Sequence, residues 1–157
     1  MSESATEDLA QRHEAAESEI TPFAYERPED LRGARGSIQL ASTDLFRSRV
    51  VVLKPGEGEN NLHFHTGSDS LWMVIKGKAR FYGPGDRLIG EFGPMQGTNT
   101  PRYARYWFEN SGEEPLEMLH VTIYAKPGRD QKTGRTDAAP RKAYTPHSAE
   151  NFDARKR

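Results

Sequence analysis

The sequence predicts an all-β domain, a sandwich or barrel, on three observations. The middle of the chain is a series of short apolar segments, SRVVVLKP, LHFH, SLWMVIKGKARFYG, RLIGEF, RYARYWFEN and LEMLHVTIY. None of them sustains the 3.6-residue apolar period of an amphipathic helix; they are short bounded runs or alternate as pleated strands do. The breaks between them are turn chemistry: GEGENN, Gly77, GPGD at Gly83 to Asp86, and NSGEEP. Glycine accepts positive φ and proline fixes its own, so GPGD marks a hairpin.

At 157 residues the chain is one domain, because a single hydrophobic core serves this length. Its composition divides it into a polar, acidic arm over 1–22, a β domain over 23–125 and a polar extension over 126–157. The arm, rich in Ala, Glu and Gln, favours a short exposed helix. The extension has too few aliphatic residues for a core of its own, so it must wrap the domain or stay mobile, with Tyr144 and Phe152 as anchors. SLWMVIK is apolar on both faces, which calls for a cover over the outer one: the terminal arms, or a second subunit in a homodimer.

Several function classes drop out. There is no cysteine, which removes disulfides, zinc ribbons and thiol nucleophiles. Any metal must be held by His, carboxylate, Tyr or Asn/Gln. The formal net charge is -1, so no strong field draws nucleic acid or anionic membrane. The basic residues Arg141, Lys142, Arg155, Lys156 and Arg157 have acidic residues among them and read as a solvated tail. MSESATEDLAQRHEAAESEI has no apolar run, neither a secretory signal nor a membrane span, which makes the cytoplasm the expected compartment. Helix-turn-helix, phosphate-loop and G-x-S-x-G patterns are missing.

The sharpest local feature is His63-Phe64-His65. Residues i and i+2 of a strand point to one side, so both imidazoles face one space. Two such nitrogens are half of a site for iron, nickel, copper, zinc or manganese. Around them, Gly58 to Gly77 resembles the first motif of the cupin superfamily: glycine, H-x-H, a glutamate a few residues on, then glycine. His63, His65 and Gly77 match. PRYARYWFEN resembles the second motif, with Pro101 and Asn110 in place. The resemblance covers residues 37–125 and implies a cupin-type jelly-roll β-barrel.

Two positions depart from the family pattern. Ser70 stands at the first-motif glutamate, with Asp69 just before it. Tyr106 stands at the second-motif histidine, and Tyr103 at the preceding glycine. Three routes would complete a metal site. Tyr106 could ligate as a phenolate, its ordinary pKa of about 10 lowered by the cation. Asp69 could reach in from a bulge, or stay a turn-capping residue. His120 could contribute from the last strand, or be a hydrogen-bonded histidine; the alternation of LEMLHVTIY leaves its face open.

Tyr106 belongs to the pocket by register, as ligand, hydrogen-bond donor or proton donor and acceptor. Trp72 shares a face with Ser70, and Phe108 with Tyr106 and Arg102. Together they suggest an aromatic chamber for a small-molecule substrate, with Arg102 at the rim for a carboxylate or simply on the surface. Trp107 and Glu109 should point the other way. Three classes fit: a metal-dependent cupin enzyme of oxygenase, isomerase or lyase type, as the resemblance implies; a metal-free acid–base enzyme using Tyr106 and a histidine; and a binding protein without turnover.

Overall fold

The computed structural model describes residues 2–58, 61–128, 132–140 and 149–156. Tyr144, Arg141, Lys142 and Arg157 lie outside the described residues. Among these residues one α-helix, α1 (Glu3–Ser18), is followed by eleven strands and a short 3-10 turn at Pro84–Asp86. They are β1 (Arg35–Ser42), β2 (Phe46–Leu53), β3 (Asn61–His65), β4 (Ser68–Lys76), β5 (Ala79–Tyr82) and β6 (Leu88–Phe92). Then come β7 (Gly97–Thr100), β8 (Trp107–Asn110), β9 (Leu116–Tyr124), β10 (Arg135–Pro140) and β11 (Glu150–Asp153).

Helix α1 starts at Ser2, whose hydroxyl accepts the Ala5 N–H at 3.3 Å, and it buries no residue. It is an arm, held by propensity and its cap. No described helix is long and apolar enough to cross a membrane.

The strands form two facing layers of a jelly roll rather than one continuous closed sheet. One layer is six-stranded, in the order β11-β1-β2-β9-β4-β7. The other contains β6-β5-β8 and the ribbon β10-β3, joined by bridges between Gly58 and Glu109 and between His63 and Tyr106. Between the layers lies the main core: Val51, Leu53, Trp72, Val74, Ala79, Phe81, Phe108, Leu116 and Met118 are all buried. Each large side chain removed from water there contributes about 1.5–3 kcal/mol. Gly77, at φ +92, turns the chain from β4 into β5, and a Cβ there would sit 2.9 Å from the Pro115 carbonyl oxygen.

A second cluster lies on the outer side of β1 and β2. Ile38, Leu40, Val50 and Val52 are buried there beneath Tyr25, Leu31 and Phe152. The cover at this end comes from Tyr25 and Leu31 ahead of β1 and from Phe152 of the C-terminal extension. Tyr25 also donates to Glu117 at 2.6 Å, and burial with that carboxylate beside it pushes its hydroxyl pKa far up. Farther along the same outer side Leu71, Ile75 and Ile123 stay exposed.

The polar extension joins the sheets by backbone pairing, which needs no apolar side chains. Strand β10 runs antiparallel to β3, and β11 parallel to β1. The close approach needs Gly67: its N–H donates to Thr133 at 2.9 Å, and a Cβ would collide with the Lys132 carbonyl oxygen. RYARYWFEN is only half a strand. Its first part turns, with Tyr103 at φ +69, and pairing resumes with the Tyr106 bridge. Strands β1, β7, β10 and β11 lie outside the segments singled out by sequence pattern.

Candidate functional site

A cavity of about 260 Å³ opens between the layers, walled by β1, β2, β4 and β9 on one side and β3 and β8 on the other. His63 and His65 share a face of β3 and both line it. Their ring centroids are 5.2 Å apart, edge to face. The backbones of His63 and Tyr106 exchange hydrogen bonds of 3.1 and 2.9 Å, which holds the Tyr106 ring 4.4 Å from that of His63. Both residues are 2% exposed. The His63 Nδ1 lies 3.0 Å from the Asn61 carbonyl oxygen. A carbonyl can only accept, so Nδ1 carries the hydrogen, and in the uncharged form of the ring the lone pair is on Nε2.

His120 faces the cavity from β9, but its nitrogens are engaged. Arg49 Nε donates to Nδ1 at 3.3 Å, and Nε2 lies 3.0 Å from the Ser70 hydroxyl. Since guanidinium has no acceptor, His120 is the Nε2–H tautomer with its lone pair already used. Burial, then Arg49 and Arg47, hold its pKa well below 6.5, so it is neutral. Trp72 stacks flat on it at 3.7 Å and donates to Thr100 at 3.2 Å. Phe108 packs 4.9 Å from Trp72, completing the aromatic wall.

The remaining wall is cationic. Arg47 and Arg49 project from β2 and Arg35 from β1, at the two-residue spacing of one strand face, and all three line the cavity. Arg49 donates to the Ser37 hydroxyl at 3.2 Å, and Arg35 to the Gly58 carbonyl. Burial above all, then neighbouring Arg47, brings the Arg49 pKa down to about 10, which leaves it charged at neutral pH. No carboxylate is among the described lining residues.

Two expected site residues lie elsewhere. Asp69 alternates with the inward Ser68 and Ser70, in a register with β9 that runs without a bulge at that point, so it faces out. It accepts the Arg102 N–H at 2.8 Å and pairs with the Arg102 guanidinium at 3.3 Å. Arg102 is therefore an exposed partner of Asp69, not a rim residue. The turn at Tyr103 breaks the alternation that would have put it beside Tyr106. Trp107 turns away, stacking on Tyr82 at 4.1 Å, and Glu109 accepts from Tyr82 at 2.7 Å. The three arginines were the residues sequence reasoning missed, though Arg47-x-Arg49-x-Val51 has the required alternation.

The cupin domain family model matches residues 49–122. The chain is also similar to a protein with a double-stranded β-helix domain from Klebsiella pneumoniae, with TM-score 0.58 and 20% identity over 73% of this chain and 90% of that one. It resembles an RmlC-like cupin from Methanocaldococcus jannaschii at TM-score 0.53 and 19% identity, covering 64% of this chain and 89% of that one. Residues 49–122 form a cupin domain. A third cupin likeness, the Cupin_2 domain of an XRE-family transcriptional regulator from Enterobacter cloacae, has TM-score 0.52 and 18% identity over 60% of this chain and 100% of that one. Likenesses at such identities carry the fold alone. No curated protein matches the chain in sequence.

In this cupin domain the family's glutamate position, Ser70, still faces the cavity, but its hydroxyl accepts from His120 Nε2–H. Its second-motif histidine position, Tyr106, sits beside His63 as the register requires. The donor set does not fit a resident transition metal. No three His, Asp or Glu among the described residues are grouped to hold one. Asp69 faces out and His120 has no free lone pair. What remains is His63, His65 and a phenol opposite three guanidinium groups, with no carboxylate among the described lining residues to offset a dication.

Proposed function

We propose that this cupin binds a small organic molecule in its cavity without a resident metal, with His63 and Tyr106 as the groups that move a proton on it. The observation that carries this reading is the His63 tautomer. With Nδ1–H committed to the Asn61 carbonyl, the ring's lone pair is on Nε2, beside a buried phenol. Such a pair serves as base and acid for isomerisation or elimination. Trp72 and Phe108 give the cavity an apolar wall, and His65 lines it as a third polar group. One observation favours the metal-dependent alternative, the shared cavity face of His63 and His65.

Elemental analysis of protein purified without chelators, paired with calorimetric ligand binding, separates the two. Metal-free protein that binds ligand and loses about 10²–10⁴-fold in turnover as Tyr106→Phe supports the proposal. Stoichiometric metal that disappears in the His63→Ala, His65→Ala double variant, together with ligand binding, overturns it.

A further inference from the structure

The inner face of β1 and β2 is costly as it stands. Arg35, Arg47 and Arg49 line one cavity, and no Asp or Glu among the described residues lines it with them. Like charges in a partly desolvated space repel. Arg49 is held by neutral acceptors, the Ser37 hydroxyl and His120 Nδ1, which orient it and leave its charge uncompensated. The Nε–H groups of Arg35 and Arg47 are buried and have no hydrogen-bond partner. A buried donor left unpaired opposes folding, more so when it is charged. Structural arginines are ordinarily matched by carboxylates, as Arg102 is by Asp69 and Arg80 by Glu91. No described carboxylate lining the cavity matches these three.

We infer that the cavity receives a small oxyanion, an organic carboxylate or phosphate ester, whose charged head seats against Arg35, Arg47 and Arg49. The inference rests on the proposed small-molecule role of the cavity and names its ligand class. Guanidinium presents its N–H donors in a planar fork that suits both oxyanions. Trp72 and Phe108 offer the same ligand an apolar wall for its body. A cavity of about 260 Å³ has room for the body of a small organic molecule such as one carrying a single ring.

The test is calorimetric titration of the full chain with four matched probes: benzoate, phenyl phosphate, benzamide and benzylamine. Binding of benzoate or phenyl phosphate, with benzamide at least about tenfold weaker and benzylamine silent, supports the inference. The tighter of the two anions tells carboxylate from phosphate. Arg47→Gln should weaken the anion by about ten- to a hundredfold, and Arg47→Lys by less. Arg35→Gln repeats the test should Arg47→Gln fail to fold by circular dichroism. Anion affinity unchanged in the folded glutamine variant overturns the inference. Benzamide binding as tightly as benzoate, with both lost in Phe108→Ala, also overturns it but leaves the small-molecule cavity standing. Silence from all four probes removes both.

Discussion

The two faces of β1 and β2 reverse the usual relation of inside to outside. Toward the interior these strands present Arg35, Ser37, Arg47 and Arg49, with Val51 and Leu53 joining the main core; toward the exterior, Ile38, Leu40, Val50 and Val52. The opposite end of the molecule is conventional, with Phe81, Leu116 and Met118 buried between the layers. The difference teaches where folding free energy comes from at each end. Near β5 and β8 the layers hold themselves together by burying rings and aliphatic chains. At β1 and β2 the apolar burial is moved outward, under Tyr25, Leu31 and Phe152, which frees the interior for polar groups.

The comparison can be broken by truncating the displaced cluster. Leu40→Ala, at a position 4% exposed, should cost about 2–5 kcal/mol, read by denaturant unfolding. A loss under about 1 kcal/mol would mean that the cluster under Tyr25, Leu31 and Phe152 is not a true second core.

The inner face can be tested through pH. The folded-state pKa of His120 lies below its unfolded value near 6.5, so the unfolded chain takes up the proton first. Its contribution is therefore fully present above pH 6.5 and is lost as pH falls toward the folded pKa, at up to about 1.4 kcal/mol per pH unit. Unfolding midpoints at pH 7 and 5.5 should show a fall that is smaller in His120→Gln. An unchanged fall would place the acid sensitivity in other groups.

The smallest effect is expected at the surface. Asp69→Asn weakens a half-exposed ion pair, so stability should shift by less than about 1 kcal/mol. Ligand affinity in the calorimeter should stay at the parent value; a tenfold loss would return Asp69 to the site.

Much of the architecture was readable because strands and turns have local signatures. The alternation of LEMLHVTIY, the GPGD hairpin and the i, i+2 pair at His63 and His65 all depend on neighbours in sequence. Tyr106 was legible because a bridge puts it level with His63. What failed depended on where alternation starts and stops. Arg102 and Tyr106 are four apart, but the left-handed Tyr103 resets the count between them. His120 could be placed only once Met118 and Thr122 were known to face inward. Arg47 and Arg49 went unnoticed because the valines after them dominate the segment. The returns of β10 and β11 left no mark because edge pairing is made by backbone groups that every residue carries.

The stretch common to cupins runs from 49 to 122, yet the cationic wall draws on Arg35 and Arg47 before it, and Arg135 after it also lines the cavity. Trimming to the shared segment would remove β1, β10 and β11 and, with them, most of what sets the interior apart. Resemblance measured over that core alone therefore says little about which molecule this particular chain selects.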